Sequence, residues 1–76
     1  MKKYVFTLYL DGLVEIDEKV ENRLFKAGCS DGMLGKQNGA FFIDFVRQAS
    51  SFYDAVLRAV KQIKSALPQV NVSGYK

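Results

Sequence analysis

The chain has 76 residues, a formal net charge of +3, one cysteine and no histidine. A single cysteine excludes an intrachain disulfide, and the lack of histidine excludes a Ser-His-Asp triad. A lone thiol without histidine cannot form a usual zinc site. A chain of this size is near the lower limit for folding on one core, so it depends on close packing or self-association. We therefore predict a single domain over residues 1–76 with no catalytic residues, metal or cofactor.

The N-terminus favours a cytoplasmic location. Residues 1–6 begin like a signal peptide, but Asp11 and Gly12 end the apolar run too early for one. No stretch approaches the length of a membrane span, so no membrane partner is expected. The mild positive net charge is compatible with nucleic-acid binding, but it is also an ordinary value for a small soluble domain.

The first part of the chain predicts a strand and then a helix. Residues 3–10 alternate between two faces, and the apolar face carries Tyr4, Phe6, Leu8 and Leu10. Asp17 stands at the N-cap position of a helix, and Gly28 ends that helix as a left-handed residue. The predicted apolar stripe of the helix consists of Val20, Leu24 and Phe25.

The middle of the chain predicts a hairpin. Residues 32–37 and 40–46 flank Asn38-Gly39, a pair typical of a type I′ turn because both central residues need positive φ. The returning strand has a core face of Phe41, Ile43 and Phe45. Its other face carries Ala40, Phe42, Asp44 and Val46, and is more apolar than a solvated sheet face needs to be.

The last part predicts a second helix and an edge strand. Ser51 is the expected N-cap, and Pro68 ends the helix. The apolar stripe consists of Ala55, Val56, Ala59, Val60, Ile63 and Leu67. Residues 70–72 form a short final strand. The order β-α-β-β-α-β predicts an α+β two-layer sandwich of ferredoxin-like type, in which two helices cover one face of an antiparallel sheet.

No residue pattern predicts an enzyme. Cys29 follows a helix C-terminus, where the negative end of the helix dipole raises a thiol pKa, so we interpret it as a small packed residue. The acidic residues of the first loop lack the spacing of a calcium site; they are Asp11, Glu15, Asp17 and Glu18.

One hypothesis for the more apolar sheet face is nucleic-acid binding. Residues 38–45 look like the octapeptide on the third strand of RNA-recognition-motif domains. Asn38 and Ala40 replace a basic residue and an aromatic one, and Asp44 would repel phosphate. The candidate nucleic-acid contacts are Tyr9 and Phe42 on the sheet, and Arg58, Lys61 and Lys64 on the second helix.

The hypothesis that we favour is a homodimer through the same face. The candidate interface consists of Val5, Tyr9, Leu34, Phe42 and Val46. An apolar patch of this size is unfavourable when exposed to water, and its burial in a dimer would add to the stability that the small core provides. Thr7 and Asp44 would then need partners or lie at the rim. The alternative is that the final strand and Tyr75 fold over part of the face.

Several segments of the chain resemble one family in the same order. These are LFKAGCSD at residues 24–31, DFVRQA at residues 44–49, Ser51, and Ala55-Val56. They resemble the small N-terminal module of uncharacterised bacterial proteins of antitoxin or regulator type, in which longer members continue into a helix-turn-helix segment. This chain ends at Lys76, where that segment would begin, so the resemblance implies a dimerisation or sensing half.

The predicted function is a non-catalytic interaction or regulatory module that self-associates and engages another macromolecule, which would be a protein or, less favourably, a nucleic acid. Direct nucleic-acid binding is the first alternative. A small-molecule sensor and an inhibitor encoded by a mobile element are further alternatives. The residues do not identify the partner, the ligand or the biological process.

Overall fold

The computed structural model describes residues 1–13 and 15–75 of the chain. It has the elements β1 (Lys2–Asp11), α1 (Glu18–Lys26), β2 (Gly32–Gln37), β3 (Ala40–Ala49), α2 (Phe52–Ala66) and β4 (Asn71–Tyr75). The predicted α+β class and the order β-α-β-β-α-β are confirmed. Three strands are longer than predicted. β1 gains one residue at each end, β3 continues to Ala49, which pairs with Lys2, and β4 continues to Tyr75.

The four strands form one antiparallel sheet in the order β2-β3-β1-β4. The β2–β3 hairpin turns at Asn38 and Gly39, whose φ values of 52° and 81° confirm the predicted type I′ geometry. The central pair β1–β3 is in register from Lys2 opposite Ala49 to Leu10 opposite Phe41. This register decides which side chains share a face.

Both helices pack on one face of the sheet and enclose the core. The fully buried large side chains are Phe6, Leu8, Ile43, Phe45, Ile63, Leu67 and Val70. Ala55 and Ala59 are also fully buried, and their small side chains let α2 approach the sheet closely. The alternating pattern of β1 and β3 therefore determines the core side of the sheet.

The predicted helix ends are confirmed, but one predicted core residue is not. The Asp17 carboxylate accepts a hydrogen bond from the backbone N–H of Val20 at 2.9 Å, and Gly28 has φ of 104°. Phe25, which we placed in the apolar stripe, is 68% exposed, so that placement is wrong. Leu24 takes the core position, and the next residue points about 100° away from it around the helix.

Neither helix, over the residues described above, is long and apolar enough to cross a membrane.

Candidate interaction surface

The sheet face opposite the helices, called here the open face, carries the odd-numbered side chains of β1 and the even-numbered side chains of β3. Across the two strands Val5 lies opposite Val46, Thr7 opposite Asp44, and Tyr9 opposite Phe42. Four of the five predicted interface residues therefore form one contiguous surface. Part of it is a shallow open depression whose floor includes Thr7, Tyr9 and Phe42.

The fifth predicted interface residue is on the other side of the sheet. Leu34 lies opposite Ile43 and packs against the core, so its placement on the open face is wrong. Met33, which lies opposite Asp44 and is 73% exposed, occupies the open face instead. The turn sequence could have predicted this register. When Gln37 is paired with Ala40 and the pairs are counted back along β2, Met33 and not Leu34 lies beside Asp44.

Phe42 has a specific support on the open face. A Cβ built on Gly35 would stand 2.6 Å from the Cζ atom of the Phe42 ring. Gly35 thus leaves the space that the ring occupies, and Phe42 is only partly exposed as a result.

Two polar residues at the middle of the open face contact each other. The Thr7 hydroxyl donates a hydrogen bond to the Asp44 carboxylate across the β1–β3 ladder. The hydroxyl therefore has a partner within the chain, and the charge of Asp44 lies between two apolar cross-strand pairs, Val5 with Val46 and Tyr9 with Phe42.

The C-terminal strand does not cover the open face over the described residues. Tyr75 lies opposite Leu8, and its ring centroid is 6.2 Å from that of Phe52 at the start of α2. Its side chain is therefore on the helix side of the sheet. The alternative in which Tyr75 folds over the open face is wrong for this part of the chain.

The candidate nucleic-acid contacts form two separate groups. Tyr9 and Phe42 are cross-strand neighbours on the open face, next to the Asp44 carboxylate. On α2, the Arg58 guanidinium lies 3.3 Å from the carboxylate of Asp54. The Lys64 ammonium donates a 3.0 Å hydrogen bond to Asn71, and Lys61 is exposed on the same helix.

A charged pair and the cysteine lie where α1 passes into β2. Arg47 donates two hydrogen bonds of 2.8 Å to the two carboxylate oxygens of Asp31, and its guanidinium stacks 4.7 Å above the Phe45 ring. Cys29 is buried beside Gln62. Burial is the main cause that raises the pKa of the Cys29 thiol, while the Arg47 charge opposes it. The direction of the pKa shift agrees with the prediction, and burial is its largest cause, with the Asp31 charge acting in the same direction.

This surface offers contact through apolar side chains, the hydroxyls of Thr7 and Tyr9 and the carboxylate of Asp44, with Lys3 and Gln48 at one end. Among the residues that the structure describes, no three histidine, cysteine or acidic side chains come close enough to hold a metal ion. Comparisons with protein-family models, with curated proteins and with solved structures find no match to this chain.

Proposed function

We propose that this chain is a non-catalytic, cytoplasmic interaction module that forms a homodimer through its open face and engages another macromolecule in regulation. The observation that carries the proposal is the contiguous exposure of Val5 (71%), Met33 (73%) and Val46 (46%) beside Tyr9 and Phe42. Monomeric proteins rarely leave such a contiguous apolar surface in water.

The size of the chain supports burial of this face by a second copy. A domain of 76 residues buries a smaller fraction of its surface on folding than a larger domain does, and a two-fold interface would add to it. Because the hydroxyl of Thr7 already donates to Asp44, an interface would not leave that hydroxyl without a partner. The Asp44 carboxylates of the two copies would repel each other and limit the affinity.

The strand order supports the finer description of the fold. In the order β2-β3-β1-β4, β3 lies between β1 and β2, and β1 lies between β3 and β4. Each β-α-β unit therefore straddles a strand of the other, which we assign to the ferredoxin-like arrangement. We extend to the chain the regulatory role implied by the resemblance to antitoxin and regulator modules, which rests on the motifs at residues 24–31 and 44–49.

Light scattering during size exclusion tests the dimer. The wild-type chain should have the mass of two copies, and Val5→Glu should have the mass of one, because a carboxylate would have to be buried in the interface. Phe25→Glu is the matched control, because Phe25 is similarly exposed (68%) but lies on α1 in the helix layer. A wild-type monomer, or a dimer that Val5→Glu leaves intact, would remove the open face from the proposal.

The second candidate function is nucleic-acid binding, which the adjacency of Tyr9 and Phe42 favours. Base stacking on two aromatic rings contributes about 1–3 kcal/mol per base. Binding of mixed single-stranded oligonucleotides that weakens as salt rises, and that Tyr9→Ala abolishes, would support this function over the first.

A further inference from the structure

A cavity of about 180 Å³ lies between α1 and the helix side of the β2–β3 hairpin. Its floor consists of the buried side chains of Leu24, Cys29 and Ile43. Phe25 and Leu34 extend this apolar lining toward the solvent. An apolar cavity of about 150 Å³ lined by leucine, isoleucine and phenylalanine is known to bind benzene, so the cavity of this chain has room for one aromatic ring.

Main-chain hydrogen bonds at the end of α1 hold the walls of the cavity in place. The N–H of Cys29 donates to the carbonyl of Leu24 at 2.9 Å, and the N–H of Gly28 donates to that of Phe25 at 3.2 Å. With the positive φ of Gly28, these two bonds form a Schellman motif. The N–H of Gly32, the first residue of β2, then donates to the carbonyl of Cys29 at 3.0 Å. The helix wall and the strand wall are thus joined directly, and the cavity is preformed.

The exposure of Phe25 has a use at this cavity. Its side chain is 68% exposed, although that of Leu24 beside it is buried. A ring placed on the cavity floor would contact the Phe25 ring and remove part of it from water, which is favourable for two aromatic groups.

The charges around the cavity have one sign. Among the described residues that line it, Glu21 is the only one with a charged side chain, and its carboxylate forms no ion pair with a described lysine or arginine. Arg23 and Lys26 lie on the side of α1 that faces α2. The Lys36 ammonium lies over the Phe41 ring, 5.1 Å from its centroid. A cation at the mouth of the cavity would therefore have a free carboxylate beside it.

We propose that the cavity between α1 and β2 binds a small primary ammonium ion that carries one aromatic ring. The ring would lie on the apolar floor against Phe25, and the ammonium would pair with the Glu21 carboxylate. The Ser30 hydroxyl, which also lines the cavity, can accept a second hydrogen bond from the ammonium. The proposal goes beyond the proposed function and does not depend on the homodimer, because Leu34 and Ile43 are on the helix side of the sheet, away from the open face.

A ligand titration followed by methyl NMR tests this proposal. The probes are phenethylamine, phenethyl alcohol and hydrocinnamate, which share a phenyl ring and differ in the charge at the other end. We expect phenethylamine to saturate the cavity at millimolar concentration and to shift the methyl signals of Leu24, Leu34 and Ile43. Phenethyl alcohol should bind roughly threefold more weakly, and hydrocinnamate more weakly still, because one partly hydrated ion pair is lost or becomes a repulsion.

Two variants separate the carboxylate from the apolar lining. Glu21→Gln should remove the preference for phenethylamine over phenethyl alcohol. Glu18→Gln is the matched control, because Glu18 is an exposed glutamate of the same helix that does not line the cavity, and it should keep the preference. Phe25→Ala should weaken all three probes by a similar factor, and it should fold because Phe25 is already exposed.

Three outcomes would overturn the proposal. The first is that phenethylamine gives no saturable shift at millimolar concentration. The second is that the shifts fall on open-face residues such as Val5 and Val46 while the methyl signals of Leu24 and Ile43 do not change. The third is that the three probes bind equally, or that Glu21→Gln keeps the preference for phenethylamine. Light scattering of the same samples reports the dimer separately, so that a monomer that binds phenethylamine contradicts only the homodimer.

Discussion

The ring of Phe42 lies against Gly35 of the neighbouring strand, where a Cβ would stand 2.6 Å from the ring carbon Cζ. The two residues are also cross-strand partners in the β2–β3 ladder. The missing side chain of one residue thus makes room for the large side chain of the other. This contact keeps the ring close to the sheet, where it forms part of the apolar area of the open face.

Gly35→Ala should lower the free energy of unfolding by about 1–2 kcal/mol, because the added methyl group displaces the Phe42 ring. In a Phe42→Ala background the same change should be neutral or stabilising by up to about 1 kcal/mol, since glycine in a strand is entropically costly. A double-mutant cycle by urea denaturation measures both values. Additive effects of the two changes would contradict the contact.

Arg47→Gln should lower the free energy of unfolding by about 2 kcal/mol. The side chain of Arg47 is 9% exposed and that of Asp31 is 32% exposed, so the charge left behind is only partly hydrated. Arg58→Gln is the control, because its ion pair with Asp54 is at the surface and should change stability by less than about 0.5 kcal/mol. Equal losses in the two variants would show that the Arg47–Asp31 pair contributes no more to stability than an exposed pair does.

Asp44→Asn should strengthen the homodimer by up to roughly tenfold, or about 1.4 kcal/mol. The amide oxygen can still accept the hydrogen bond from Thr7, while the repulsion between two carboxylates is removed. For the same reason, added salt should strengthen the wild-type dimer by screening that repulsion. Sedimentation at several salt concentrations measures both effects, and a wild-type dimer that salt weakens would point to a different interface.

Cys29→Ala should cost less stability at alkaline pH than at neutral pH. Burial raises the pKa of the folded thiol above its usual value of 9.0, so the folded chain holds the proton more tightly than the unfolded chain does. That contribution is complete below pH 9.0 and is lost as the pH rises through the folded pKa. Urea denaturation of the wild type and of Cys29→Ala, at neutral pH and above pH 9.0, measures the difference between their free energies of unfolding. That difference should be smaller at the higher pH.

Part of the interaction surface was predictable because strand alternation has a fixed period. Val5 and Tyr9 share a face whatever the tertiary structure is, and so do Phe42 and Val46. Leu34 was misplaced because residues 32–37 contain two glycines and little alternation, so their pattern does not reveal the register. The pairing of Gln37 with Ala40, when counted back along the strand, places Met33 on the open face.

The sequence by itself determined the element order, the type I′ turn and the helix caps at Asp17 and Ser51, because each depends on a few neighbouring residues. Only the tertiary structure decided that Tyr75 turns to the helix side and that Arg47 meets Asp31. These relationships join residues far apart in the chain. They depend on where each strand lies in the sheet, which local residue patterns do not encode.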